Sequence, residues 1–163
     1  MSLDFETMLD IVGVFGDFDV DTFASAANSK GKRFFSRLDV PGSAGVDFFH
    51  QTLDERESNF CFPPPSKLVA ALEHFRGQGV AAVMVVPVWP ASSYNIFWPD
   101  GVHAAVFVSG MLIVQPYFVC GPLVNGNGMR GRKTYRTAVM KVDFRRGAGR
   151  SARGGRLCLM DGC

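Results

Sequence analysis

A continuous apolar run in the middle of the chain constrains the fold most. Residues 81–88 read Ala-Ala-Val-Met-Val-Val-Pro-Val, with no polar side chain among them. A strand with one wet face alternates apolar and polar residues, whereas a strand covered on both faces is apolar throughout. The run is far shorter than the ~20 residues of a membrane span. It therefore predicts a buried strand of a parallel sheet with helices on both faces.

Helix and strand patterns alternate on either side of this run. Apolar residues at helical spacing predict a helix over residues 4–15 that ends at Gly16. The same spacing predicts a second helix over residues 66–76, with Ser66 as its N-cap and with Gly77 and Gly79 at its end. Further strands are predicted at 17–23, 59–62, 111–120 and 137–144. Such alternation is typical of α/β proteins with a mostly parallel sheet. Four side chains should be almost fully buried in its core: Leu72, Phe75, Val85 and Val86.

The remaining segments carry weaker patterns. Residues 24–57 show no sustained period and are expected to be irregular, while residues 92–98 have room for one or two helical turns. Residues 125–133 form a Gly-rich basic loop, and residues 145–163 hold five Arg and five Gly with little to bury. The sequence therefore predicts one α/β domain over residues 1–144 and a disordered basic tail over 145–163.

The cysteines and the N-terminus indicate a protein of the cell interior. The cysteines are Cys61, Cys120, Cys158 and Cys163, and none forms a C-x-x-C pair or lies beside a histidine. Because structural zinc needs clustered ligands, no metal site is expected, and reduced thiols are the simplest interpretation. The acidic first ten residues lack the basic start of a secretory signal. We expect a cytoplasmic or nuclear location, with no membrane contact.

Charge is distributed unevenly along the chain. Residues 1–129 hold seven Lys/Arg against thirteen Asp/Glu, and residues 130–163 hold ten against two. A basic end on an acidic body can meet a polyanion, although a solvated tail gives the same pattern. If DNA or RNA is bound, the expected phosphate contacts are Arg130, Arg132, Lys133, Arg136, Arg145 and Arg146, followed by Arg150, Arg153 and Arg156.

Several familiar motifs can be set aside. Asp17, Asp19 and Asp21 alternate, but no Gly follows at the sixth position of a calcium loop. A two-metal nuclease stays open, beside the simpler interpretation of a solvent-facing acidic edge. Residues 126–131 match G-x-G-x-x-G, yet a strand pattern follows where a dinucleotide site needs a helix. The chain has no G-x-S-x-G, P-loop or H-E-x-x-H pattern, so nothing points to a hydrolase or NTPase.

A series of short motifs is more specific in combination than alone. In order they are Val20-Asp21-Thr22-Phe23-Ala24-Ser25, Asn28, Phe34-Phe35-Ser36, Pro41-Gly42, Gly45-Val46-Asp47, Asn59 to Leu68, and Val85 to Pro90 with Trp98 nearby. Over residues 10–144 this series resembles the phage-type adenine-N6 DNA methyltransferases. It is most similar to the related domain that follows reverse transcriptase and RNase H in DIRS-type, tyrosine-recombinase retrotransposons. The resemblance implies a Rossmann-like methyltransferase-type sheet and, as partner, the reverse transcriptase/RNase H region of the same element.

The resemblance also implies where catalysis would occur. In the family an Asn-Pro-Pro-Tyr/Phe tetrad closes a strand, accepts hydrogen bonds from the adenine amine and stacks on the flipped base. Alignment on the prolines gives a degenerate tetrad: Pro63, Pro64, Pro65 and Ser66. Proline has no side-chain acceptor and serine has no ring, and a shift by one residue places Phe62 at the Asn position instead. The catalytic motif is therefore not intact.

The residues expected at the cofactor site depart from the family's pattern as well. S-adenosylmethionine sites use a Gly-containing turn after the first strand, whereas Phe23-Ala24-Ser25 stands here. If S-adenosylmethionine is bound, the resemblance assigns Asp21, Phe23 and Asp47 to it. We expect a degenerate, catalytically inactive domain from a retroelement that contacts nucleic acid. The alternatives are a divergent active DNA adenine methyltransferase and a structural module of a retroelement polyprotein.

Overall fold

The computed structural model describes residues 3–88, 95–118 and 134–147. These residues form two helices and seven strands. In chain order they are α1 Phe5–Phe15, β1 Phe18–Asp21, β2 Gly31–Ser36, β3 Gly45–Val46, β4 Asn59–Cys61, α2 Leu68–Gln78, β5 Ala81–Pro87, β6 Val108–Phe118 and β7 Thr134–Asp143. All seven strands belong to one sheet. The strands predicted over residues 17–23, 59–62, 81–88 and 137–144 all lie in this sheet, as expected. The helix predicted over residues 66–76 packs on the sheet.

The strand order defines the fold. Across the sheet it runs β3-β2-β1-β4-β5-β7-β6. The pairings β2–β3, β1–β2, β1–β4 and β4–β5 are parallel, whereas β7 lies antiparallel to both β5 and β6. The order reverses between β1 and β4, as in doubly wound sheets. The fold class expected from the sequence is confirmed as a Rossmann-like α/β sheet that is mostly parallel.

Helices cover both faces of the central strands. Successive residues of β5 alternate between two apolar clusters, as the pleat of a strand requires. On the α1 side the cluster contains Met8, Ile11, Phe60, Val83, Val85 and Val139. On the α2 side it contains Cys61, Leu72, Phe75, Met84, Val86 and Met140. The predicted core residues Leu72, Phe75, Val85 and Val86 are all buried, and β5 lies between β4 and β7.

The prediction that residues 24–57 are irregular was wrong in part. They contain β2 and β3, which extend the parallel sheet beyond β1. β2 begins with a glycine and two exposed basic residues, and only its second half is buried. β3 is two residues long. Neither strand presents enough apolar residues to produce a period in the sequence.

Two further details of the sequence interpretation need correction. Ser66 is not the N-cap of α2, because it lies inside the 3-10 turn Pro65–Lys67, and Lys67 holds the cap position without a side-chain hydrogen bond. The rigid prolines start this turn and leave no role for a serine cap. Gly77 lies within α2, and Gly79 ends it in the left-handed conformation, at φ 65°. α1 covers Phe5–Phe15, one residue shorter at its start than predicted, with Asp4 as its N-cap and Gly16 as its C-cap.

The outer parts of the chain are described only partly. No helix among the described residues is long and apolar enough to cross a membrane. Cys61 is buried with its thiol free, while the other three cysteines fall outside the described ranges. The predicted Gly-rich loop, the first part of the predicted turns at 92–98, and most of the predicted tail also fall outside them. Only residues 145–147 of that tail belong to the described part.

Candidate functional site

The parallel strands bring Asp21 and the degenerate tetrad after β4 to one edge of the sheet. Asp21 is the last residue of β1 and pairs with Phe60 of β4, and Cys61 at the end of β4 pairs with Met84 of β5. The carboxyl ends of β1 and β4 therefore lie side by side. Ligands of open α/β sheets bind at this edge, where the strand order reverses.

The segment that resembles a degraded tetrad follows β4 directly. Pro63 is buried, Pro64 is exposed and extended, and Ser66 is exposed. The Lys67 N–H donates to the Pro64 carbonyl at 2.8 Å, which closes the 3-10 turn leading into α2. Neither Pro63 nor Ser66 supplies a side-chain amide or an aromatic ring. The segment serves as a rigid connection between strand and helix.

Asp21 is a buried carboxylate at this edge, 2% exposed. One of its oxygens accepts a hydrogen bond from the Lys30 N–H at 2.9 Å, and the other accepts from the Phe23 N–H at 3.3 Å. Burial raises the pKa of the Asp21 carboxyl, and the two backbone hydrogen bonds oppose that rise. The sequence interpretation of a solvent-facing acidic edge is wrong at Asp21, because the carboxylate faces inward.

Asp21 holds together an unusually short crossover. Residues 22–30 join β1 to the parallel strand β2 without a helix, although such connections usually need a dozen residues or more. The Phe23 N–H lies at the start of this connection and the Lys30 N–H at its end. A single carboxylate thus satisfies backbone donors at both ends of the crossover. In this structure its role is to close the loop.

Gly31 lies against the backbone of Asp21. A Cβ atom at residue 31 would stand 2.6 Å from the Asp21 nitrogen and 2.8 Å from the Val20 carbonyl carbon. Both atoms belong to the backbone of a central strand and cannot move aside. Gly31 is therefore packed against the backbone of β1, as the first residue of the neighbouring strand β2.

A small cavity lies beside Asp21. Its volume is about 30 Å³, and its walls are Leu3, Asp21, Phe23, Asn28, Lys30, Phe60 and Phe62. This is room for one or two water molecules. Pockets that hold drug-sized ligands have volumes of roughly 300–1,000 Å³. In the described part of the chain, the space beside Asp21 is nearly filled by protein.

Phe23 and Asp47 lie at the same edge of the sheet but have different structural roles. The Phe23 ring contacts those of Phe48 and Phe49, with centroids 5.1 and 6.0 Å away. The Asp47 carboxylate accepts from the Phe49 N–H at 3.1 Å and lies 3.2 Å from Nδ1 of His50. Asp47 therefore caps the 3-10 turn Phe48–His50, from a backbone with φ 59°. The Phe23 ring therefore packs against the 3-10 turn that Asp47 caps.

The basic residues divide between opposite edges of the sheet. Val88, after the end of β5, donates its N–H to the Arg136 carbonyl, so Arg136 lies at the carboxyl edge. The start of β5, Ala81, pairs with Asp143, so Arg145 and Arg146 lie at the opposite edge. An extended strand separates Arg136 from Arg145 by roughly 30 Å. Arg130, Arg132 and Lys133 lie outside the described residues, as do Arg150, Arg153 and Arg156.

Arg145 is already engaged by an acid. Its guanidinium makes two hydrogen bonds to the Asp143 carboxylate, at 2.9 and 2.7 Å, which raises the pKa of Arg145. Arg145 and Arg146 line an open groove of about 380 Å³ with Glu55, Arg56 and Gly147. Arg56 is likewise paired, with Asp54. Phosphate contacts at this edge would compete with these pairs.

One wall of the cavity was missed by sequence reasoning. Leu3 immediately precedes Asp4, the N-cap of α1, whose carboxylate accepts from the Thr7 N–H at 2.7 Å. Leu3 packs in the same cluster as Met8, the fourth residue of the helix. This is the hydrophobic staple, whose signal is an apolar residue before the cap and another at the fourth helical position. That pattern was present in the sequence.

Metal ligands do not gather in the described residues. Among them no three His, Cys, Asp or Glu side chains come together in a way that could hold a metal ion. Asp19, the middle member of the alternating acids, accepts hydrogen bonds from Ser58 and Lys32. Its carboxylate connects β1 to β2 and to the start of β4.

Comparisons with known proteins assign the chain to no class of protein narrower than its fold. No protein-family model matches the chain, and no curated protein matches it. Among solved structures, it is similar to a protein of Thermoplasma acidophilum provisionally described as a methyltransferase. The identity is 11% and the TM-score 0.41, over 90% of this chain and 77% of that one. Because this likeness is low, the fold assignment rests on strand order and pairing.

Proposed function

We propose that the chain is a methyltransferase-like domain of retroelement origin that has lost adenine transfer and contacts nucleic acid through its basic C-terminal segment. The observation that carries the proposal is the end of β4. A buried proline and an exposed serine stand there, beside a carboxylate committed to loop closure. The connection between β4 and α2 is rigid, but it lacks the side chains that would position an adenine amine.

The chemistry explains why this loss matters. Transfer to an exocyclic amine depends on holding that amine in line with the methyl donor, and positioning contributes several kcal/mol to such reactions. Pro63 offers no side-chain oxygen for the amine, and Ser66 offers no face on which a flipped base could stack. Phe62, the residue aligned with the Asn in the shifted alignment, lines the small cavity beside Asp21 but has no acceptor either.

A divergent active methyltransferase remains the main alternative. It would need room for S-adenosylmethionine near Asp21, Phe23 and Asp47, whose carboxylates and ring are engaged within the protein. Saturable binding of S-adenosylmethionine in a calorimetric titration would favour this alternative. Lack of binding to either cofactor or nucleic acid would favour a structural module beside the reverse transcriptase/RNase H region.

Nucleic-acid contact is proposed on the charge distribution. The acidic first part of the chain repels a polyanion, so binding should depend on residues 130–163 and ignore base sequence. Arg145 is neutralised by Asp143 in the free protein. The attraction should therefore come from other basic residues of this segment, among them Arg130, Arg132, Lys133, Arg136, Arg146, Arg150, Arg153 and Arg156.

This proposal predicts salt-sensitive binding to both DNA and RNA. Five or six phosphate contacts would give a log–log salt slope of roughly −4 to −5. Deleting residues 148–163 should weaken binding and flatten the slope, while keeping the Arg145–Asp143 pair and the fold intact. Fluorescence anisotropy with labelled single- and double-stranded oligonucleotides over a salt series measures both quantities.

A matched pair of point variants sharpens the experiment. Arg146→Ala and Arg37→Ala remove the same charge, but Arg37 is an exposed residue in the acidic part of the chain, directly after β2. Arg146→Ala should reduce the slope by about one contact, and Arg37→Ala should not. Equal binding by the full-length and shortened proteins would contradict the proposal.

A further inference from the structure

The outer face of α1 exposes apolar side chains. Phe5 and Leu9 are 76% and 56% exposed, and they lie one turn apart in a row that Gly13 continues. Among the described residues, no atom lies within 4 Å of the position that a Cβ of Gly13 would take. The inner face of the helix already buries Met8 and Ile11 against the sheet. α1 therefore has a second apolar surface, the outer row Phe5, Leu9 and Gly13, which the described residues leave exposed.

Acidic side chains run beside this outer row. Glu6 and Asp10 are exposed, and each directly follows a member of the row. Residues 1–29 contain six acidic residues and no Lys, Arg or His. Such a surface repels nucleic acid and anionic lipid, and packing of α1 on α1 of a second copy would bring like charges together. The charge pattern favours an occupant that is both basic and apolar.

One segment of the chain has this composition. Residues 148–163, which lie outside the described residues, contain Arg150, Arg153 and Arg156 against the single acid Asp161. The last of these arginines is followed directly by the apolar run Leu-Cys-Leu-Met at residues 157–160. The segment thus joins arginines to an apolar end, whereas α1 joins acids to an apolar row.

The last described residues lie within reach of α1. A Cβ at Gly110 would stand 3.2 Å from the Phe15 ring and 3.8 Å from the Lys141 Cβ, so the end of α1 lies beside β7. Gly147 follows Lys141 by six residues, a separation of at most about 20 Å. Residues 157–160 lie further along the chain and can be roughly 33–43 Å from Gly147. The outer row spans only roughly 12 Å along α1, so these residues can reach it.

We propose that residues 148–163 dock on the outer face of α1 of the same chain, with residues 157–160 on the outer row and the arginines beside Glu6 and Asp10. Apolar burial stabilises this contact most, because exposed ion pairs contribute little. The charges select the segment that docks. A small contact suffices, since the segment is tethered to the surface that it binds. Docking does not rest on nucleic-acid contact, and arginines that bind phosphates would have to leave α1.

Trypsin cleavage of the full chain, without nucleic acid, measures the docking. Cleavage after Arg156 requires the residues around that bond to leave α1, so its initial rate follows the undocked fraction. Leu9→Ser with Asp10→Asn removes an apolar contact and an acid, and it should raise this rate about five-fold or more, as read by mass spectrometry of the released peptide. Leu38→Ser with Asp39→Asn is the matched control, because the same dipeptide is exposed there after β2. The control should be cleaved at the parent rate.

Leu159→Ser with Met160→Ser tests the same contact from the other side and leaves both residues of the cleaved bond unchanged. It should raise the rate as the α1 variant does, and combining the two variants should add little, because they remove one shared contact. Circular dichroism identifies the variants that keep the fold. A parent-like rate in either folded variant would overturn the proposal. A parent rate that rises on dilution would also overturn it, because the segment would then dock on a second copy.

Discussion

Val86→Asp should abolish cooperative unfolding of this domain. Val86 is 0% exposed on β5, between β4 and β7, and it faces the apolar cluster beneath α2. An aspartate there has no partner and no access to water, and a buried unpaired charge costs several kcal/mol even after its pKa rises. Domains of this size are stable by only about 5–15 kcal/mol. Circular dichroism on heating should show no sharp transition.

The same substitution at an exposed valine is the control. Val106 is 85% exposed, and Val106→Asp should leave the free energy of unfolding within about 0.5 kcal/mol of the parent value. A normal melting curve for Val86→Asp would mean that β5 is not the covered centre of the sheet. The strand order described above would then be wrong.

Among glycine-to-alanine substitutions in the described part of the chain, Gly31→Ala should lower the free energy of unfolding most. The added methyl group would lie 2.6 Å from the Asp21 nitrogen and 2.9 Å from the Arg33 carbonyl oxygen. The Asp21 nitrogen belongs to β1 and the Arg33 oxygen to β2 itself, so the methyl group would push β1 away and distort the start of β2. Overpacking of this kind costs about 1–3 kcal/mol, and fixed backbone atoms place this variant at the upper end. Urea unfolding should show a lower midpoint with an unchanged slope.

Gly13→Ala provides a control of opposite sign. Gly13 lies within α1, and nothing lies within 4 Å of the position its Cβ would take. Alanine there should stabilise the protein by about 0.5–1 kcal/mol, because glycine is a poor helix former. If Gly31→Ala left the urea midpoint unchanged or raised it, the close approach of β2 to Asp21 would be disproved.

Much of the fold could be predicted because burial leaves a signal in the sequence. β5 is apolar throughout, since it is covered on both faces, while α1 shows apolar residues at helical spacing and β7 shows an alternating period of two residues. β2 and β3 were missed because exposed polar residues occupy the first part of β2 and the edge strand β3 is only two residues long. Pairing with a neighbour, rather than composition, makes these residues strands.

The site was predictable in position but not in detail. The end of β1 and the end of β4 could be located from the motifs around Asp21 and Pro63. That Asp21 closes a short crossover, and that Gly31 lies close to its backbone, depends on contacts between segments that the sequence pattern does not reveal. Charge counts likewise indicated a basic end, but only strand direction places Arg136 and Arg145 at opposite edges. Long-range pairing leaves no local trace in a sequence.

Transfer of a labelled methyl group from S-adenosylmethionine to DNA adenine tests the central claim most directly. The purified chain should incorporate no label above background, because Pro63 and Ser66 neither hold the amine nor stack on the base. If a trace of activity exists, restoring both groups in Pro63→Asn with Ser66→Tyr should raise it, and either change alone should do less. Incorporation of label into adenine by the unmodified chain, well above background, would contradict the account.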